Sequence, residues 1–349
     1  MKKLIALLLC MVMVLGLAAC GQKNEPATTT EAAPTTTAAT EPSVPETTVP
    51  TTEPATEPAV TEPAESVTTP LLYKVTDNEG NVAWLFGSIH VGEEYFYPLP
   101  AYVLNAYASA DALAVEFDIV TFEGDINAQI EALQTMVYAD GTTIADHISE
   151  ELYNDAKAAL KDLGMYSSAL DYYCPAMWSS FIDSAMIEKM GVDTSLGIDL
   201  YFLNRAHEEG KTILDVESAA FQYGMMAGYS EELQAMLLES SVASVELMEE
   251  SKADMMQLVD AWATGNEAEF DALINAAPEF ESPEEEVLYN EYQNAMITQR
   301  NLSMADFAED ALKSGEEVFI VVGAAHIVGA GAMAELLAER GYTVEIVRY

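Results

Sequence analysis

Short apolar runs toward both ends of the chain predict β-strands, and the first two of them predict a hairpin. Residues 71–75 and 82–86 are rich in β-branched and aromatic side chains and flank the sequence Asp77-Asn78-Glu79-Gly80-Asn81. Two such runs around a turn that contains Asn and Gly are typical of a hairpin. Comparable runs predict further strands at residues 112–119, 211–216, 318–322 and 342–347.

Between these strands, apolar residues recur at helical spacing over most of the chain. Gly141, Gly164, Pro175 and Gly191 separate successive helical segments. The predicted helices span residues 99–110, 126–136, 150–163, 176–190, 197–210, 230–277, 283–314 and 331–340. Strands from both ends with helices between them predict one α/β domain at residues 71–349. Its central mixed β-sheet is formed from N- and C-terminal strands and carries a large helical insert.

The first residues have the pattern of a secretory signal rather than of a membrane span. Basic Lys2 and Lys3 precede an apolar stretch at residues 4–17, which is too short for a comfortable transmembrane helix. The sequence Leu17-Ala18-Ala19-Cys20 resembles the bacterial lipobox, which implies cleavage before Cys20 and lipidation of its thiol. Residues 1–19 are therefore predicted to be a lipoprotein signal peptide. We expect the protein to be extracytoplasmic and anchored to the bacterial cell membrane by lipidated Cys20.

Residues 20–70 are predicted to be the lipidated cysteine followed by a disordered tether. Thr, Pro, Glu and Ala dominate residues 21–70, and such a composition cannot bury a core. An extended tether would hold the folded domain away from the membrane. Its Thr and Pro content also permits O-glycosylation.

The charge limits the ligands that this protein is expected to bind, and the cysteine content limits its disulfides. The formal net charge is −44, which argues against binding nucleic acid or anionic lipid heads through a basic surface. Membrane contact is therefore expected through the lipid anchor alone, and cationic ligands are compatible with the charge. Cys10 would be removed and Cys20 acylated, so Cys174 is left without a disulfide partner and is expected to be a buried, inert thiol.

Two matching stretches carry the first candidate site residues. Gly87-Ser88-Ile89-His90 and Gly323-Ala324-Ala325-His326 each follow an apolar run of strand type. A glycine at a strand end lets the backbone turn sharply or approach a ligand closely. Because α/β sheets bind ligands at the carboxyl ends of their strands, we interpret His90 and His326 as two halves of one site. The alternative is that both are structural histidines of the core.

Three charged residues could join them. Glu116 interrupts the apolar strand at residues 112–119, where a carboxylate costs several kcal/mol unless it is paired or bound to a metal. Glu217 directly follows the strand at 211–216, although it could simply favour the first turn of the next helix. Arg300 is one of few cations and could bind a carboxylate in a bidentate manner or form an ordinary salt bridge.

Together these residues predict a metal site. His90, His326 and Glu116, with Glu217 as a second carboxylate, supply imidazoles and carboxylates, which suit divalent Mn, Co, Fe or Zn with positions left for water. Such a metal would lower the pKa of the water, and a spare carboxylate would serve as general base. The chain has no His-Glu-x-x-His helix, no Gly-x-Ser-x-Gly elbow and no phosphate-binding loop.

The chain resembles the TraB/GumN family, whose animal relatives include the Tiki proteases that cleave Wnt proteins. The resemblance covers residues 72–349 almost completely, and it implies a fold related to erythromycin esterase-like and haem-binding ChaN-like proteins. It assigns His90 and His326 to the paired Gly-x-x-His motifs, Glu116 to the acidic position after the second strand, and Glu217 and Arg300 to further site positions. The matching pieces are residues 85–90, 110–118, 197–199, 217, 300–301 and 322–329.

The Tiki branch implies metal-dependent peptide hydrolysis. The predicted function is therefore a lipid-anchored, extracytoplasmic, metal-dependent hydrolase that acts on a peptide or protein, with Glu116 and Arg300 assigned to catalysis. One alternative is a non-catalytic lipoprotein that binds or inhibits a peptide or another ligand in the same cleft. A third hypothesis, which follows from the relationship to ChaN-like proteins, is haem or iron binding through His90 and His326.

Overall fold

Six strands form one mixed sheet in the computed structural model, which describes residues 66–276 and 278–348. The predictions for residues 1–19, for Cys20 and for the tether up to residue 65 lie outside the described residues. The strands are β1 (Leu72–Thr76), β2 (Val82–Ser88), β3 (Ala112–Val115), β4 (Thr212–Asp215), β5 (Val318–Gly323) and β6 (Thr343–Val347). All six lie within or beside the apolar runs of the sequence. The predicted strand at 112–119 is too long, because β3 ends at Val115 and a helix begins at Ile119, so Glu116 follows the strand rather than interrupting it.

The strand order across the sheet is β4-β3-β5-β2-β1-β6. β1 and β2 are antiparallel, so the predicted hairpin is present, and β6 pairs with the other side of β1. β4, β3, β5 and β2 are parallel to one another, and β5 lies between β2 and β3. The C-terminal part of the chain therefore supplies a central strand of the sheet, as the predicted α/β fold requires.

Helices fill most of the remaining chain and connect the parallel strands. The helices that precede residue 230 are α1 (Ala101–Ser109), α2 (Ile119–Gly124), α3 (Ile126–Gln134), α4 (Glu150–Asp162), α5 (Pro175–Met190), α6 (Ile198–Glu209) and α7 (Ala219–Ala227). The later ones are α8 (Glu231–Glu246), α9 (Met248–Thr264), α10 (Glu267–Ile274), α11 (Pro283–Gln293), α12 (Gln299–Ser314) and α13 (Met333–Glu339).

The helical pattern at residues 230–277 folds as three helices rather than one continuous rod. The chain breaks at Leu247, between α8 and α9, and again at Gly265, where a left-handed backbone ends α9. The prediction of one long helix at 283–314 is nearly correct, because α11 and α12 are joined by a π-helical turn at Asn294–Thr298. That turn directly precedes Arg300.

An aromatic cluster packs the helices against the middle of the sheet. Phe86 of β2 and Phe319 of β5 contact Phe202 of α6, with ring centroids 5.7 and 5.0 Å from it. Trp262 of α9 packs on Phe86 and donates a hydrogen bond from Nε1 to the carbonyl of Gly87 at 2.8 Å. Burial of these rings fixes the helical layer over the end of β2, where the first Gly-x-x-His stretch begins.

The described residues all belong to one compact unit. Among them, no helix has the length and hydrophobicity needed to cross a bilayer. Cys174 is a buried free thiol, and burial raises its pKa, so the thiolate is disfavoured.

Candidate functional site

The predicted site residues follow the carboxyl ends of the four parallel strands. Glu116 directly follows β3, and Glu217 lies two residues after β4. His90 lies two residues after β2, and His326 ends the 3-10 turn Ala324–His326 that follows β5. Since these strands are neighbours and parallel, their carboxyl ends meet at one edge of the sheet. The structure therefore brings the two Gly-x-x-His stretches and both carboxylates to the same edge.

Gly87 and Gly323, the glycines that begin the two Gly-x-x-His stretches, are closely packed against neighbouring atoms. An ideal Cβ at Gly87 would lie 2.7 Å from Cβ and 2.8 Å from Cα of Ala324, in the second stretch. An ideal Cβ at Gly323 would lie 3.3 Å from Oε1 of Glu116 and 3.5 Å from Cδ2 of His326. The first glycine thus allows the two strand ends to pack together, and the second allows Glu116 to approach the end of β5 closely.

His90 is held by a carboxylate that comes from α6. Its Nδ1 lies 3.1 Å from Oδ1 of Asp199, and both side chains are buried. An ionised carboxylate only accepts hydrogen bonds, so Nδ1 of His90 is the donor. Burial acts to lower the pKa of His90, but the charge and hydrogen bond of Asp199 outweigh it and raise the pKa.

His326 is held by an amide that comes from α12. Nδ2 of Asn301 donates to the carbonyl of Gly331 at 2.9 Å, which fixes the amide orientation because a carbonyl cannot donate. Oδ1 of Asn301 must then accept from Nδ1 of His326, at 2.7 Å. Burial, followed by the charge of Arg300, lowers the pKa of His326 to about 3. The ring is therefore neutral, with its proton on Nδ1 and a lone pair on Nε2.

Glu116 has hydrogen bonds to both of its oxygens. Oε1 accepts from the backbone N–H of Gly323 at 2.9 Å. Oε2 accepts from Nη2 of Arg300 at 2.6 Å and from Nε2 of Gln222 at 2.9 Å. Burial acts to raise the pKa of Glu116, but the charges of Arg300 and of His326 and His90 outweigh it and lower the pKa to about 2. A buried carboxylate is tolerated after β3 because it is paired with Arg300 and both of its oxygens accept hydrogen bonds.

Arg300 joins Glu116 to Glu217. Its Nε lies 2.8 Å from Oε1 of Glu217, and its Nη2 lies 2.8 Å from Oε2. This is the bidentate geometry considered for Arg300 from the sequence. Nη1 of Arg300 donates to the carbonyl of Met296, within the π turn, at 3.4 Å. Gln222 of α7 bonds Glu217 as well, so both oxygens of Glu217 already have partners.

The two imidazoles share a hydrogen-bonding pattern that is typical of metal-binding histidines. Each described ring bond uses Nδ1, to Asp199 or to Asn301, and so leaves Nε2 for a ligand. The charges of Glu116 and Arg300 act on the pKa of both rings, and that of His90 acts on His326, so the four groups form one electrostatic unit. The donor types therefore fit a divalent metal. In the described ranges, however, the side chains of His, Cys, Asp and Glu do not form a group of three or more that is arranged to hold a metal ion.

Asp199, Asn301 and Gln222 are site residues to which the sequence assigned no role. Asp199 lies 109 positions from His90, and Asn301 lies 25 positions from His326. Each is a polar residue of an amphipathic helix, a pattern that equally describes a solvent-facing position. Asp199 and Asn301 could have been found only through the segments 197–199 and 300–301, which contribute to the family resemblance.

The comparisons with known proteins agree with this resemblance. The TraB/PrgY/gumN family matches residues 71–346. The uncharacterized protein YbaP of Escherichia coli K12 is 25% identical over 259 residues, which cover 72% of this chain and 86% of YbaP. YbaP of Shigella flexneri matches with the same identity and coverage. No solved structure matches the chain significantly. Since the family match extends over most of the sequence, the chain belongs to the TraB/PrgY/gumN family.

Proposed function

We propose that this protein is a metal-dependent hydrolase that acts on peptides at the carboxyl edge of its parallel strands. The observation that carries the proposal is the pair of buried imidazoles, His90 and His326, on neighbouring strand ends. Each has Nδ1 bonded to an acceptor from a helix, and each leaves Nε2 for a ligand. Carboxylates and amides that orient a ring in this way are typical partners of metal-ligating histidines.

In this proposal His90 and His326 would hold the metal through Nε2, and Glu116 would complete the set through Oε1. When bound, a divalent Mn, Co, Fe or Zn ion lowers the pKa of water and polarises a carbonyl. Oε1 of Glu116 has one described partner, the N–H of Gly323, and an ionised oxygen has capacity for another bond. Glu217 would act on the other side of Arg300, where it holds the guanidinium in place against Glu116.

The predicted signal and lipobox place this activity outside the membrane, with Cys20 as the anchor. The strong negative charge supports a soluble domain that does not bind lipid heads or nucleic acid. Residues 20–70 would give the domain its distance from the membrane surface.

The first test is metal content. The full-length chain, purified without chelator, is analysed for Mn, Fe, Co and Zn beside the double variant His90→Ala/His326→Ala. A matched control is His207→Ala, because His207 is an exposed histidine of α6 that pairs with Asp118. Near-stoichiometric metal in the wild type and in the control, lost in the double variant, is the expected result. Equal metal in all three proteins would contradict the shared site.

Peptide binding without hydrolysis is a second candidate, and the bonding of Glu116 favours it. Both oxygens of Glu116 already accept hydrogen bonds, from Arg300, Gln222 and Gly323, so it is not a free general base. A peptide library incubated with the metal-loaded protein separates the two. Mass spectrometry shows new termini if the peptides are cleaved. Retention of intact peptides on the protein, with no new termini over long incubation, would support binding alone.

A further inference from the structure

Ser88 carries a buried hydroxyl that nothing in the described residues satisfies. It is the last residue of β2 and is 2% exposed. Its Oγ has no hydrogen-bond partner among residues 66–276 and 278–348. Most buried hydroxyls are paired, because an unpaired one loses its bonds to water without replacement. Ser88 therefore stands out in a strand whose other buried side chains are apolar.

The strand register shows where the hydroxyl points. Ser88 is paired with Gly323 of β5, the neighbouring parallel strand. Paired residues on adjacent strands project to the same face of a sheet. A Cβ at Gly323 would point toward Oε1 of Glu116 and Cδ2 of His326. The side chain of Ser88 therefore projects to the face on which Glu116 and His326 stand.

A second unpartnered atom belongs to Asp199, the residue that holds His90. Asp199 accepts from His90 through Oδ1, while its Oδ2 is buried and has no partner in the described part of the chain. His90 follows Ser88 by two positions. Ser88 and the carboxylate that holds His90 thus each carry an unsatisfied polar atom, which indicates that this part of the site is built to contact a polar ligand.

We propose that Ser88 contacts the bound ligand, and that its hydroxyl donates a hydrogen bond to a carbonyl or carboxylate oxygen held beside the carboxyl end of β2. This inference rests on the proposed function, because it assumes that a peptide binds at the same edge. Ionised Glu116 can only accept hydrogen bonds, whereas a hydroxyl can donate. Ser88 thus supplies the donor that an acyl oxygen needs.

The proposal predicts that Ser88 lowers stability while it improves binding. Replacing Ser88 by Ala removes an unpaired buried hydroxyl, so Ser88→Ala is expected to have a melting temperature equal to or above that of the wild type. A serine with a structural hydrogen bond would show the opposite change. Ser303→Ala is the control, since Oγ of Ser303 donates to the carbonyl of Gln299 on the exposed side of α12.

Binding is measured with acetohydroxamate, a small acyl-oxygen ligand, on the full-length chain loaded with Co²⁺ and followed by visible absorption. Ser88→Ala is expected to bind acetohydroxamate about threefold to tenfold more weakly, with unchanged Co²⁺ affinity. Ser88→Thr, which keeps the hydroxyl, is expected to retain the wild-type affinity. Unchanged acetohydroxamate affinity in Ser88→Ala, or a melting temperature below the wild type, would overturn the proposal.

A third variant separates failure of this inference from failure of the proposed function. If the wild type takes up no Co²⁺, the metal-dependent function fails, and the direction of Ser88 is tested with Ser88→Cys and iodoacetamide. Alkylation of the introduced thiol in the native protein, above the wild-type background, supports a position open to a ligand. A thiol that reacts only after denaturation overturns the inference.

Discussion

Nη2 of Arg300 lies 2.6 Å from Oε2 of Glu116, and the two side chains are 0% and 6% exposed. The same guanidinium binds Glu217, whose side chain is 4% exposed. One cation thus faces two buried carboxylates that follow neighbouring strands. Burial of three charges is tolerated only because each of them has charged partners and hydrogen bonds.

Removal of Arg300 is therefore expected to destabilise the fold. Arg300→Met leaves Glu116 and Glu217 buried without a cation, and we expect a loss of about 3–5 kcal/mol in the free energy of unfolding. Urea denaturation measures it. Arg340→Met is the control, because Arg340 pairs at the surface with Asp306 and Glu309 and is expected to contribute only about 0–1 kcal/mol. Similar losses in both variants would contradict the importance of the buried pairs.

Asn301 is expected to set the affinity of His326 for metal. Asn301→Leu removes the acceptor of Nδ1, so the ring loses its fixed tautomer and orientation. Under the proposed function, the metal affinity should fall roughly tenfold to a hundredfold, without unfolding of the domain. Competition with a colorimetric chelator measures the affinity. Gln299→Leu, at an exposed position of the same helix, is the control, and equal affinities of the two variants would argue against this role.

Asp183 of α5 is expected to make stability depend on pH. It is 1% exposed, and burial raises its pKa to about 7, although a hydrogen bond with Ser241 acts in the opposite direction. The folded state therefore holds a proton that the unfolded state has released, so stability falls as the pH rises from about 4 to about 7 and then levels off. The pKa of Tyr292 in α11 is raised mainly by burial, and the charge of Asp183 raises it further.

The variant Asp183→Asn cannot ionise and escapes this loss. Its advantage in unfolding free energy over the wild type should be near zero at pH 4 and reach on the order of 4 kcal/mol above pH 7. Thermal and urea unfolding at several pH values measure it. Asp155→Asn, at an exposed position of α4, is the control. An advantage that is the same at all pH values would show that ionisation of Asp183 is not its source.

Gly87 is expected to be intolerant of a side chain. Gly87→Ala places a methyl group within 2.8 Å of the backbone of Ala324, so β2 and the turn after β5 must separate. We expect a loss of about 1–3 kcal/mol by urea denaturation. Gly124→Ala is the matched control, because a Cβ at Gly124 would meet no atom within 4 Å. If both variants were equally stable, the close contact at Gly87 would not matter.

The sheet could be predicted from the sequence because its strands are short apolar runs with clear ends. The hairpin follows from the turn at residues 77–81. The matching Gly-x-x-His ends predict that the two histidine strands end at one site, whereas the direct pairing of β2 with β5 is seen only in the structure. Glu116 could be singled out because a carboxylate in an apolar run needs a partner. These signals are all local, and each depends on a residue type that is unusual in its place.

The other site residues give no such signal. Asp199 and Asn301 lie on helices, where a polar residue is expected every few positions whether or not it is buried. Their partners are distant in sequence, so only the packing of the helices on the sheet brings them together. The break at Leu247 has no glycine or proline to mark it. The second break in residues 230–277 is marked by Gly265, a signal that the prediction of one helical segment did not use.

The central place of β5 in the strand order has a consequence for biosynthesis. β4 and β3 form one pair, β2 and β1 form another, and β5 is the strand that joins the two pairs. Isolated two-stranded units are marginal in water, and contacts between distant residues form slowly. A nascent chain cannot close its sheet before Val318–Gly323 has been made. We therefore expect folding to be completed only after nearly the whole chain has been synthesised, and a product that ends before β5 to be degraded.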